Sequence, residues 1–218
     1  YIEQHRGQLK LATKVTSLNL ENDHIVGVTV DDTVLESKFV VLATPFHVTQ
    51  RLIAPFPSLS STHDQMRDME SRPICTVYLH YGKRVSMGQE MVGFTDCISQ
   101  WAIDRSTVRQ KGMISVIISG SGPHMSLDNA SLCKKVSAEI ASFFPRWPDP
   151  IHSMVIREKQ ATFNSVVGIN KLRPSICTPV SGLLLAGDYV NTGLPATIES
   201  AVRSGTRCAR EIIKQIRD

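Results

Sequence analysis

Apolar and polar positions alternate through the first part of the chain. Leu9, Leu11, Thr13 and Val15 are spaced by polar partners, the period of a half-buried strand. Glu21-Asn22-Asp23-His24 reads as a turn, Ile25, Val26, Val28 and Val30 as a second strand, and Asp31-Asp32 as another turn. Phe39-Val40-Val41-Leu42-Ala43 breaks the alternation with a continuous apolar run. Such a run predicts a strand buried on both faces, often a parallel one. Thr44-Pro45 ends it, and Pro45, its φ already fixed, suits the opening of a short helix through about Ile53.

The middle of the chain changes character. Pro55, Pro57 and a Ser/Thr cluster predict a loop, followed by a helix over His63 to Met69. Strand patterns return at Ile74 to Tyr81, Met91 to Phe94, Gln100 to Ile103 and Met113 to Ser119. Residues 127–144 have helical spacing, stopped by Pro145-Arg146-Trp147-Pro148, and residues 151–163 read as another strand. Leu183-Leu184-Leu185-Ala186 is a short buried strand closing on Gly187. A last helix is predicted from Pro195 to Ile216. Its expected buried face is Ile198, Ala201, Val202, Gly205, Cys208, Ala209, Ile212, Ile213 and Ile216, with Arg203, Arg207, Arg210 and Lys214 in water. Strands and helices alternate irregularly, which predicts an α/β (α+β mixed) fold with a mixed sheet. Residues 1–53 and 175–218 are expected to share one lobe, and 54–174 to form a second.

Composition narrows the function classes. The 218 residues are 42% hydrophobic and 20% charged, with a formal net charge of +4 and no Lys/Arg block. This is a solvated surface, and no nucleic-acid partner is expected. The five cysteines are odd in number and widely spaced, without a C-x-x-C pair, so they read as free thiols in a reducing, cytoplasmic compartment. The seven histidines are scattered, and no metal site is expected. No apolar run approaches the roughly 20 residues needed to cross a bilayer. The chain begins with Tyr1 and enters strand-like sequence almost at once, which reads as a piece whose upstream part lies elsewhere.

The stretch from Leu185 to Glu199 carries the chemistry. A buried strand ends at Gly187, the Asp188 carboxylate follows at its tip, Gly193 sits in a short loop, and Pro195, Ala196, Thr197 and Ile198 lead into a helix. Strand tips in α/β sheets are favoured ligand positions. A carboxylate there can accept hydrogen bonds from ribose or ribityl hydroxyls. A helix amino terminus offers unpaired N–H groups and a positive dipole end, suited to a phosphate or to the C2 carbonyl of a flavin. The same residues also suit a plain turn and helix start. A Ser/His/Asp triad has no local signature, and no residue declares itself catalytic. Tyr78, His80 and Tyr81 read as strand residues with protons to give.

Residues 182–210 resemble the carboxy-terminal FAD motif of the amine oxidase and phytoene desaturase superfamily. Within it, the wording L-A-G-D-x-x-x-T-G-x-P-A-T-I-E-x-A-x-R-S-G looks like the squalene-associated FAD-dependent desaturases, also called hydroxysqualene dehydroxylases. Arg157-Glu158 with Ala161-Thr162-Phe163, Arg173-Pro174 with Thr178, Gln100-Trp101 with Asp104-Arg105, and Val40 to Pro45 agree with it in order. The resemblance implies an FAD-dependent oxidoreductase acting on an apolar isoprenoid of the squalene type, with hydride passing through flavin N5. It implies that Asp188 holds the ribityl or pyrophosphate region and that the helix start at Pro195 to Ile198 meets the flavin pyrimidine edge. It implies that Val15 meets the adenine through its backbone, and that Ala43 and Thr44 lie near the dinucleotide. Trp101 is a candidate for lining the lipid pocket. Carotenoid desaturation and amine oxidation are alternatives on the same scaffold.

The sequence departs from the family at one point. The G-x-G-x-x-G turn that grips the pyrophosphate is absent, and Gly120-Ser121-Gly122 runs into Pro123. The chain therefore reads as the carboxy-terminal half of a two-domain enzyme, without the amino-terminal Rossmann βαβ unit. Alone, it is expected to be a folded, non-catalytic piece that does not retain FAD. An apolar lipid substrate would suit a membrane-peripheral setting, and a surface left by the absent lobe would suit homodimerisation.

Overall fold

The computed structural model describes residues 1–82 and 85–217. Positive φ at Asn22 and Asp23, and again at Asp31 and Asp32, builds two tight turns. Asn and Asp tolerate this left-handed region better than other side chains. The turns join β1 (Val15–Glu21), β2 (His24–Val30) and β3 (Thr33–Glu36) into an antiparallel sheet in that order. Residues 9–14, expected as strand, are loop instead, with Leu9 and Leu11 exposed. The reason is register: Val15 already pairs with Val30, the last residue of β2, so no partner remains for the residues before it.

The apolar run at 39–43 yields β4 (Val40–Leu42), which pairs in parallel with β10 (Leu183–Leu185). Burial on both faces does not follow: Leu42 is buried, but Val41 is 37% exposed and Ala43 is exposed. The parallel pair is stitched to the antiparallel sheet by a bridge between His24 and Ser181, where Ile25 N–H donates to Ser181 O at 3.0 Å and Ser181 N–H to Asp23 O at 2.9 Å. The mixed strand directions thus arise from two small sheets joined at one point. Pro45 caps α1 (Phe46–Ile53), and a 3-10 turn, Pro57–Leu59, runs directly into α2 (Ser60–Arg67), three residues earlier than the expected start at His63.

These elements form one compact unit, residues 1–69 with 165 onward; residues 70–164 form another. The division falls at 69/70 and 164/165, not at 53/54 and 174/175. Leu59, Thr62, Met66 and Met69 are buried in the first unit. Gln65 Nε2 on α2 donates to the carbonyls of Lys171 and Arg173, at 3.1 Å each, and Arg173 in turn donates to the carbonyls of Asp188 and Val190, so hydrogen bonds run across the expected boundary at 174/175.

The second unit is a five-stranded antiparallel sheet in the order β6-β7-β8-β5-β9, made of β5 (Ser71–His80), β6 (Met91–Gly93), β7 (Trp101–Asp104), β8 (Met113–Ser119) and β9 (His152–Phe163). Period-2 alternation divides its faces. Cys75, Val77, Leu79, Ala102, Ile114, Val116 and Ile118 pack against Leu132, Val136 and Ile140 of α3 (Asn129–Phe143). Asp128 caps α3, its Oδ1 accepting from Ser131 N–H at 2.8 Å. Ile140 is fully buried, so Ile140→Ala is expected to cost about 2–5 kcal/mol through lost burial and a cavity. Urea unfolding checks this, the midpoint falling with the slope unchanged. Among the described residues no helix is long and apolar enough to cross a membrane, and no cluster of three or more metal-ligating side chains occurs.

Candidate cofactor site at the tip of β10

Three leucines and Ala186 bury β10 completely, and the chain leaves it through Gly187. At Gly187, with φ of 151°, a Cβ would lie 2.6 Å from the Tyr189 ring, so glycine is required there. Past Ala186, whose N–H still bonds Leu42 O of β4, the backbone leaves the sheet, and its polar groups need other partners. The last helix, α4 (Ile198–Arg217), supplies them. Cys208 Sγ lies 3.2 Å from Leu185 O. Ser204 Oγ accepts from Gly187 N–H at 2.8 Å and lies 3.1 Å from Gly187 O. Ser200 Oγ reaches Thr192 Oγ1 at 2.6 Å and Asp188 O at 3.3 Å.

The buried stripe of α4 is therefore Ser200, Ser204 and Cys208. Of the expected apolar face, Cys208 is buried and Ala201, Gly205 and Ile212 are half-buried, but Ile198, Val202, Ile213 and Ile216 are exposed, Ile198 by 85%, and so is Ala209. Hydroxyls win the buried position because a bare strand tip would otherwise leave N–H and C=O groups unmet. The helix also starts later than expected. Thr197, not a residue before Pro195, is the cap: its Oγ1 accepts from Ser200 N–H at 3.2 Å and its carbonyl from Ala201 N–H at 3.1 Å. Pro195 and Ala196 lie in the bend before it.

Asp188 stands half-buried at the strand tip. Burial raises its carboxyl pKa above the ordinary value, opposed by its own N–H, the Tyr189 N–H and the charge of Arg173. The Tyr189 side chain is fully buried. Its hydroxyl lies 3.0 Å from Thr49 Oγ1, which lies 2.8 Å from Thr44 Oγ1; burial pushes the phenol pKa up. This hydroxyl chain ties Thr44 to the tip, and Ala186 N–H donates to Leu42 O at 2.9 Å. Ala43, Thr44, Gly187 and Asp188 thus gather at the carboxyl ends of the parallel pair, where ligands of α/β sheets sit. Gly193, at φ of 80°, and residues 195–198 continue from them. Val15 opens β1 in the same unit, paired with Val30.

Arg173 was visible in the sequence only as part of Arg173-Pro174. In the fold it is buried beneath the loop after β10, with its guanidinium on that loop's carbonyls. Burial lowers its pKa, which the Asp188 carboxylate opposes.

The other candidates lie in the second unit. Register places Gly93, Trp101, Ile117, Thr76 and Ile156 in one row on the sheet face opposite α3. Met91, Ile103, Ser115, Tyr78 and Met154 form the next row, and Met113, His80 and His152 a third. Trp101 is 46% exposed and lies over Gly93, where a Cβ would meet the indole at 3.0 Å. Tyr78 and His80 belong to this open face, whereas Tyr81 is buried in the α3 core. Arg105 lies over the Tyr78 ring, 5.9 Å from its centroid. Arg157 and Glu158 point to opposite faces: Arg157 donates to the carbonyls of His124 and Leu127 at 3.0 and 2.7 Å, and Glu158 is exposed.

The tip of β10 fits the flavin end of a dinucleotide. It offers a half-buried carboxylate, a glycine, Gly187, where a side chain could not stand, and an exposed helix start at Thr197 and Ile198. The pyrophosphate grip is not among these residues, since Gly120-Ser121-Gly122 leads only into the 3-10 turn Pro123–Ser126.

Comparison with known proteins decides the family. The family described as flavin containing amine oxidoreductase matches residues 1–213. The chain belongs to it. It is 42% identical to the hydroxysqualene dehydroxylase of Zymomonas mobilis over 96 residues, 44% of this chain and 23% of that protein. It is 29% identical to that of Rhodopseudomonas palustris over 202 residues, 90% of this chain and 42% of that protein. A crystal structure of a putative protoporphyrinogen oxidase from Exiguobacterium superposes with a TM-score of 0.71 at 14% identity, covering 96% of this chain and 48% of that one. The fold is that of this oxidoreductase family, and the chain spans less than half the length of each of these proteins.

Proposed function

We propose that the whole protein binds FAD against the tip of β10 and acts on an apolar isoprenoid of the hydroxysqualene type. The cluster of Asp188, Gly187, Thr44 and the α4 start, in a chain similar to two hydroxysqualene dehydroxylases, carries this reading. Bound FAD supplies hydride exchange at its N5, the hard step of the chemistry. Asp188 accepts hydrogen bonds from the ribityl or ribose hydroxyls. The first turn of α4, from Ile198, turns its N–H groups and positive dipole end toward the pyrimidine edge. Ala43 and Thr44 line the dinucleotide, and the Val15 backbone meets the adenine. The 218 residues alone, without a glycine-rich turn, do not retain the cofactor.

The open face of the five-stranded sheet is the surface for the lipid chain. Met91 and Trp101 at one side of that face and Met154 and Ile156 at the other are each about half exposed, apolar side chains of the kind a lipid chain can cover. Trp101 and Ile117 hold the chain and exclude water. His80 and His152, stacked with centroids 6.3 Å apart at the end of that face, and Tyr78 beside them carry protons of the kind a departing hydroxyl needs.

The test is a single-turnover reaction. The whole protein is loaded with FAD, reduced without oxygen and mixed with hydroxysqualene. Return of the oxidised-flavin absorbance with formation of squalene is the expected result. No reoxidation by hydroxysqualene, with bleaching of the oxidised form by an amine or a carotenoid precursor instead, contradicts the proposal.

A further inference from the structure

We propose that Arg173 is a positioning residue for the flavin site, fixing the loop 188–194 and through it aiming the Asp188 carboxylate. This rests on the FAD reading above. Arg173 is 3% exposed. Its Nη2 donates to Asp188 O at 3.0 Å and Val190 O at 2.7 Å, its Nη1 to Leu194 O at 2.6 Å and Asn170 Oδ1 at 3.1 Å, and its Nε to Tyr189 O at 3.3 Å. Ser200 Oγ on α4 lies 3.4 Å from Nη2. The loop has no helix or strand of its own, so the carbonyls of Asp188, Tyr189, Val190 and Leu194 turn to this planar fork.

The effect reaches the carboxylate through one peptide unit. A trans peptide is planar, with its C=O and N–H pointing opposite ways. Drawing the Asp188 carbonyl onto Arg173 therefore turns the Tyr189 N–H away from it, and that N–H, with Asp188's own, works against burial to hold the carboxyl pKa down. The charged and titratable groups around Asp188 are few. Arg173 acts on it directly. The Tyr189 phenol is buried on Thr49, Arg207 of α4 reaches the carbonyls of Asn191 and Thr192, and Glu199 is paired with Arg203. Without Arg173 the carboxylate loses both its aim and the charge that offsets its burial.

The experiment measures FAD affinity of the whole protein by flavin fluorescence from about pH 5 to pH 8, in the wild type and in R173K, R173M and D188N. The wild type is expected to bind more weakly as pH falls and Asp188 protonates. R173M is expected to bind at least about tenfold more weakly at neutral pH, with this acid limb moved to higher pH. R173K keeps the charge but cannot fork to four carbonyls, so it weakens binding while its limb stays near the wild type. D188N shows no limb. A purely architectural arginine would lower melting temperature while leaving the limb in place. Folded R173M with wild-type affinity and limb overturns the proposal. If R173M does not fold, wild-type affinity in R173K overturns it. A wild type that binds no FAD at any pH instead overturns the flavin reading itself, and this proposal with it.

Discussion

Replacing Asp188 with asparagine is expected to weaken FAD binding by the whole protein about tenfold to hundredfold, while making the flavin-free fold more stable. The first effect is the loss of a hydrogen bond from a ligand hydroxyl to a charged acceptor, worth about 1.5–3 kcal/mol. The second follows from linkage. Burial raises the Asp188 pKa above its value in the unfolded chain, so between those two values the folded chain binds the extra proton. Stability contributed by this residue therefore falls as pH rises through that window and stays low at neutral pH. The amide introduced by D188N carries no charge to bury, so the variant should melt higher at pH 7 and lose its advantage at pH below the unfolded value. Calorimetry of the flavin-free protein at the two pH values, paired with FAD titration, reads both. A variant that melts lower at pH 7 and binds FAD as the wild type does would mean that Asp188 is only a turn residue. Such opposition between stability and binding is usual where a fold holds a group for a ligand.

Gly112→Ala is expected to destabilise the second unit by about 4 kcal/mol or more. Gly112 has φ of 73°, and a Cβ there would lie 1.5 Å from the Gly82 carbonyl oxygen. That neighbour is backbone, two residues past the end of β5, and cannot swing aside as a side chain would. The Tyr81 N–H donates to Gly112 O at 2.8 Å, so relieving the clash breaks the join between β5 and β8, the two central strands. Gly120→Ala separates the causes. Its φ is 82° with nothing within 4 Å of the added Cβ, so it should lose only the about 1–2 kcal/mol of left-handed strain. Equal losses in urea unfolding of the two variants would show that the close approach at Gly82 does not matter.

The sequence made some of this fold readable and hid the rest for identifiable reasons. Asn22-Asp23 and Asp31-Asp32 announced the hairpins because the turn itself demands those residues. The three leucines before Gly187 announced a buried strand. The buried side of α4 was misread. Apolar spacing shows which residues share a face but not what covers that face, and Ser200 and Ser204 look like solvent-facing positions until a bare strand tip requires their hydroxyls. The helix Ser60–Arg67 is legible in the sequence only from His63, because Ser60, Ser61 and Thr62 read as a continuation of the Pro55-Pro57 loop. Arg173 gave no local signal, since its partners are carbonyls 15 to 21 residues further along the chain. At the site, the Gly187-Asp188 motif and the helix start were legible. The residues that hold them in place were not, because backbone acceptors carry no side-chain signature.

The visible absorbance spectrum of the purified whole protein, compared with that of the 218-residue chain given excess FAD and passed through a desalting column, tests the central claim most directly. The account predicts bound-flavin bands in the whole protein, their loss or marked weakening on Asp188→Asn, and no retained flavin in the shorter chain. A whole protein without flavin bands, even after reconstitution with FAD, would contradict the assignment of the β10 tip as a flavin site.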